Sequence, residues 1–98
     1  MANTEVQLTW DEEKRQKTLQ ERGLDFADAR RVFNEASLTF PDLRKSYGEN
    51  RYITVGFLDH RMVVLVHTPR DGGMRIISMR KANEREIEHY RQRLDRPG

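Results

Sequence analysis

The sequence predicts a single α+β domain, an antiparallel sheet with helices packed against it in the order β-α-α-β-β-β-α. Three observations point there. Apolar residues alternate with polar ones from Val6 to Trp10, recur at spacings of three and four through the first third, and return to strand-like runs after residue 50. Glycine, proline and aspartate punctuate the chain between those stretches. A length of 98 residues leaves room for one hydrophobic core, so one domain over 1–98 is expected, with an ordered core at about 5–94.

The first element is a short strand, Val6-Gln7-Leu8-Thr9-Trp10, with one face buried and an edge position in the sheet. Thr9 and Glu12 have the spacing of a capping box, and acidic residues at 11 to 13 favour the positive end of a helix dipole. A surface helix is therefore expected from about Trp10 to Arg22, closed by Gly23. Asp25 is placed to cap a second helix, in which Leu24, Phe26, Ala29, Val32 and Phe33 form the apolar stripe to about Glu35. Ser37 to Phe40 suits a brief strand, and Pro41 to Asn50 reads as an exposed loop. Three strands follow at Arg51–Leu58, Arg61–Thr68 and Met74–Arg80. The first two are joined by the two residues Asp59-His60, the last two by a turn at Asp71-Gly72-Gly73. Met62-Val63-Val64-Leu65-Val66 is apolar on both faces, the mark of a central strand. Asn83 and Glu86 repeat the capping-box spacing, and Ile87, Tyr90 and Leu94 share one face of a last helix that ends before Pro97.

Charge is distributed unevenly. Residues 1–42 hold six Lys/Arg against nine Asp/Glu, a net of −3, while residues 43–98 hold twelve against seven, a net of +5. Most of those cations are arginine, whose planar fork grips phosphate at two points, so an acidic partner, RNA or protein, is implied. A solvated face with local ion pairs is the alternative, since Glu84, Glu86 and Glu88 lie among the arginines. Hydrophobic content of 36% against 35% charged predicts a modest core and a fold that is marginal or partner-assisted. With no cysteine there are no disulfides and no zinc-thiolate site, as suits the reducing cytoplasm. The start lacks a signal-peptide pattern, and no apolar run approaches the roughly 20 residues of a membrane span.

Three histidines occur, His60, His67 and His89, without the i+3 or i+4 partner of a local metal pair, so no metal is expected. Nucleotide-cofactor and serine-hydrolase motifs are absent, and no cofactor is expected. His67, near the end of the central strand, is placed either to move a proton or to serve as a hydrogen-bonded rim histidine. The remaining constellation is Arg70, Arg75, Ser78, Arg80, Lys81 and Tyr90, with Tyr47, Arg51 and Tyr52 upstream. RNA cleavage asks little of a protein, because the 2′-OH already lies beside the scissile phosphate. A scaffold must hold the backbone in line, neutralise charge and move a proton, for which His67, a tyrosine or a carboxylate such as Glu49 is available. Arg75 and Lys81 equally suit charges that guard a sheet edge.

Several segments also match a family pattern in order and spacing. Trp10-Asp11-Glu12-x-Lys14 resembles the F-x-W-D-x-x-K opening of BrnT-type proteins. Gly23-Leu24-x-Phe26 with Ala29 and Val32-Phe33 is similar to their G-V-x-F-x-x-A-x-x-V-F, and Asp42 with Tyr47-Gly48-Glu49-x-Arg51 to their D…Y-G-E-x-R. His67-Thr68-x-Arg70, followed by Arg75-Ile76-Ile77-Ser78-Met79-Arg80-Lys81-Ala82, resembles [YH]-T-x-R and R-I-I-S-A-R-x-A. One segment departs: family members often carry N-x-x-K-H-G where this chain has Thr18-Leu19-Gln20-Glu21-Arg22-Gly23. The resemblance implies a RelE-like fold, endoribonuclease activity that arrests translation, and inhibition by a BrnA-type antitoxin that carries operator-DNA binding for the complex. A homodimer is open to the chain when antitoxin is absent. On this expectation His67, Arg75 and Arg80 are the catalytic candidates, and Arg51, Arg70, Lys81 and Tyr90 contact RNA. The rival expectation is a non-catalytic basic module that binds RNA or an acidic protein.

Overall fold

The computed structural model describes residues 6–95. The elements are β1 (Leu8–Trp10), α1 (Glu12–Arg22), a 3-10 turn (Phe26–Asp28) running into α2 (Ala29–Phe33), β2 (Ser37–Pro41), β3 (Tyr52–Leu58), β4 (Arg61–Arg70), β5 (Gly73–Lys81) and α3 (Glu84–Asp95). Residue 5, Arg96 and the expected helix stop at Pro97 lie outside the described residues.

The class is α+β, but two features of the expected architecture are corrected. Ser37–Pro41 is a full strand, so four strands rather than three follow the helices. The sheet is also mixed rather than antiparallel throughout: its order is β1-β5-β4-β3-β2, and β1 runs parallel to β5, with Leu8, Thr9 and Trp10 opposite Met74, Arg75 and Ile76. A single short strand at the chain start can join either edge in either direction, and its own alternation does not decide which. β4 sits at the centre, where Met62 through Thr68 are all buried.

Local chemistry explains the element ends. Asp11, not Thr9, caps α1: its carboxylate accepts from the backbone N–H of Glu13 and Lys14, while Thr9 stays in the ladder with β5. α1 buries no side chain and is tied down by polar contacts. Arg15 donates to both oxygens of Asp25 at 2.8 and 3.1 Å, and Arg22 donates to the carbonyl of Met79 at 2.9 Å. Gly23 closes the helix with φ 71°, a conformation that costs other residues energy. Asp25 caps the next segment through Ala27 N–H as expected, although that segment begins as a 3-10 turn. The β3–β4 hairpin turns on Asp59 and His60, both with positive φ, the geometry of a type I′ connection. Asn83 and Glu86 form the reciprocal capping box at the start of α3, at 2.8 and 2.9 Å.

The sheet is covered on both faces. Leu24, Phe26, Ala29 and Val32 pack with Leu58, Val63, Leu65, Ile76 and Met79 on one face; α3 lays Ile87, Tyr90 and Leu94 on Val55, Met62 and Val64 on the other. Ile76 and Met79 enter the same cluster although three residues apart. The reason is a bulge: Ser78 pairs with Val66 and Ile76 with His67, which leaves Ile77 without a partner across β4.

Candidate functional site: an arginine-bearing cleft between sheet and last helix

That bulge decides which cations share a face. Alternation in an unbroken strand would send Arg75 and Arg80 to opposite sides, and the extra residue at Ile77 returns Arg75 to the side of Ser78 and Arg80. Arg80 stands opposite Val64 on the α3 face. Beneath α3 lies a cleft of about 200 Å³, to which Arg80, Ser78, Glu86, Tyr90, Phe40 and Arg44 contribute.

Within it, Arg80 donates from both terminal nitrogens to the two oxygens of Glu86, each at 2.8 Å, and the Tyr90 ring stacks on Phe40 with centroids 6.1 Å apart. Glu86 is the capping-box carboxylate of α3, so the strand end and helix start are locked by one side chain. The Arg80 guanidinium, followed by the N–H of Asn83, pulls the Glu86 pKa down from 4.5 to about 2, and Glu86 in turn raises that of Arg80.

Other candidate residues fall elsewhere. Arg51 and Arg70 meet at Glu49, Arg51 Nε donating at 2.9 Å and Arg70 approaching to 3.7 Å, and the Arg51 guanidinium lies 4.2 Å from the centroid of the Tyr47 ring. Arg75 is half-buried opposite Thr68, towards this same end of the sheet. Lys81 pairs with Val63 and so projects to the face opposite Arg80.

His67 is not brought together with Arg80. It lies on the α2 face, 4% exposed, its ring edge-on to Phe33 at 5.2 Å and stacked on Tyr52 at 6.2 Å. Its Nε2 shares a 2.7 Å hydrogen bond with Thr54 Oγ1, which is bonded in turn to Thr39 Oγ1. Burial pushes its pKa down from 6.5 to about 4, so the ring is neutral at physiological pH.

Sequence reasoning read Glu86 as a cap and as one of several surface ion-pair partners, and did not assign it, Arg44 or Asp42 to the site. Asp42, with its side chain fully buried, receives Arg44 Nε at 2.8 Å, Arg44 Nη2 at 2.7 Å and the Tyr47 hydroxyl at 3.1 Å. The Arg44 guanidinium beside it holds the Asp42 carboxyl well below the usual carboxylate range. A carboxylate two residues before an arginine at the mouth of a Pro-initiated loop was the available signal.

A small α+β domain whose basic half builds an arginine-bearing cleft against one sheet face presents a surface complementary to polyanions. The comparison with known families is specific: residues 10–86 match the BrnT ribonuclease toxin of type II toxin-antitoxin systems, and the chain belongs to this family. No curated protein matches the chain. A toxin of this type implies an antitoxin partner. No helix among the described residues is long and apolar enough to cross a membrane.

Proposed function

We propose that this chain is a metal-independent endoribonuclease with a RelE-like fold, which cleaves RNA in the cytoplasm to arrest translation and is neutralised by a cognate BrnA-type antitoxin. The observation that carries the proposal is the Arg80–Glu86 pair at the cleft of a chain from a ribonuclease toxin family. A phosphodiester entering the cleft competes with Glu86 for the same guanidinium fork, and two-point phosphate binding matches that fork as well as carboxylate does. Once Arg80 holds phosphate, Glu86 loses the largest of the contacts that lower its pKa and becomes a stronger base. It then takes the proton of the 2′-OH while the 2′ oxygen attacks phosphorus. The bond to the 5′ oxygen breaks, that oxygen takes up a proton from solvent water, and a 2′,3′-cyclic phosphate remains. Arg80 neutralises the charge that develops on the phosphorane, Tyr90 and Phe40 offer an aromatic surface for a base, and Arg75, Arg51 and Arg70 extend the basic track for the backbone. The proton role that sequence suggests for His67 passes to Glu86 in this reading, because His67 is buried, neutral and on the other face.

The test is incubation of the purified chain with RNA in the presence of EDTA. Products ending in 2′,3′-cyclic phosphate are expected, and Arg80→Ala should slow their formation about 100-fold, the usual cost of removing a charge-stabilising donor. A second reading, a non-catalytic RNA-binding module, is favoured by one observation: the one imidazole on the sheet is sealed away from the cleft. It predicts salt-sensitive RNA binding without any product.

A further inference from the structure

We infer that Arg44, held by the buried carboxylate of Asp42, is a second phosphate-contacting residue of the cleft, and that Asp42 is its positioning residue. The inference rests on the reading of the cleft as the RNA site and extends it to two residues outside the Arg80–Glu86 pair. Its basis is an arrangement with two arginines at one cavity. Arg80 enters from β5 and Arg44 from the loop after β2, and both contribute to the same 200 Å³ space. They are near enough for the Arg44 charge to disfavour that of Arg80.

Each guanidinium is gripped from behind by a carboxylate, Glu86 for Arg80 and Asp42 for Arg44. The two grips differ in depth. The Asp42 side chain is 0% exposed, and Arg44 above it is 61% exposed. Asp42 also receives the backbone N–H of Arg44 at 3.2 Å and the Tyr47 hydroxyl, while its own N–H donates to the carbonyl of Arg51 at 2.8 Å. The Asp42 carboxylate spends its hydrogen bonds on fixing an arginine whose outer edge faces solvent and cleft. The rest of the Arg44 guanidinium stands open to solvent at the cleft. An exposed cation held from behind, facing a second cation across a cavity, suits an anion that bridges both, and a phosphodiester backbone is that anion.

The test measures binding of a non-cleavable, fully 2′-O-methylated RNA oligonucleotide to the full chain by fluorescence anisotropy at several salt concentrations. Arg44→Ala should weaken binding about 5- to 30-fold and lower the slope of log Kd against log salt by about one contact. Arg44→Lys should keep the slope and still lose several-fold in affinity, because a lysine cannot take the two-point grip of Asp42. Asp42→Asn gives the sharper sign. Removing a negative charge near a polyanion site by itself tightens binding, whereas loss of positioning weakens it; weakening at unchanged slope is expected, in a variant that melts cooperatively. Unchanged affinity and slope in Arg44→Ala, or tighter binding in folded Asp42→Asn, would overturn the inference. Binding that responds as expected in a chain that cleaves no RNA leaves this inference standing and removes the catalytic one; cleavage by the wild type, with RNA binding unchanged in Arg44→Ala, does the reverse.

Discussion

At Glu86 a single carboxylate closes the first turn of α3 through Asn83 and holds the fork of Arg80, and that partnership sets its pKa near 2. A carboxyl lowered in the folded state contributes stability that is present above its ordinary value of 4.5 and lost as pH falls towards 2. His67 acts in a higher window. As a base whose folded pKa of about 4 lies below 6.5, it takes up its proton on unfolding; its contribution is present above pH 6.5 and is lost as pH falls to about 4. Denaturant unfolding of the wild type at pH 7 and pH 4.5 should differ by up to about 3 kcal/mol from this group, and His67→Gln should flatten that difference. Equal pH slopes in the two proteins would show that His67 is not a neutral core group. For Glu86→Gln the expected signature is a flatter profile below pH 4.5, with the window above it unchanged.

The elements make their own demands. His60 occupies the left-handed region at φ 68° in the β3–β4 turn, so His60→Gly should raise stability by about 0.5–1 kcal/mol in thermal or denaturant unfolding. Gly56 lies beneath α2, where an added Cβ would meet Val32 Cγ1 at 2.8 Å, and Gly56→Ala should cost about 1–3 kcal/mol by pushing helix from sheet. At this scale most of the fold was legible. The apolar run of β4, the Asn83–Glu86 box, the Gly23 stop and the hairpin at Asp59-His60 are local patterns, and each appears where its spacing puts it. The parallel docking of β1 was not legible, because a three-residue strand pairs through contacts more than sixty residues away. The site was legible in part. Arg80 and Tyr90 share the cleft, but separating His67 from Arg80 needs the register of Val64 with Arg80 as well as the two-residue period. Uniting Arg75 with Arg80 needs a bulge that no residue pattern announces. Glu86 was visible as a cap, while its grip on Arg80 spans the strand-to-helix turn and depends on how that turn closes.

For the molecule as a whole, the division between an acidic first part and a basic second part becomes a division of labour. The acidic residues of α1 and its neighbours serve local caps and ion pairs, as Asp11, Glu12 and Asp25 do, and the cations after residue 43 gather on β5, α3 and the loop before β3. With RNA as the ligand proposed above, association should slow as salt rises. It also offers an antitoxin with acidic side chains a complementary surface. The central claim, a ribonuclease toxin working through the Arg80 cleft, meets its most direct test in a cell that expresses this chain from an inducible promoter without any antitoxin. Growth arrest with RNA degradation is predicted for the wild type, and restored growth with intact RNA for Arg80→Ala produced at equal level. Unimpeded growth and intact RNA with the soluble wild-type protein, or undiminished toxicity of Arg80→Ala, would contradict it.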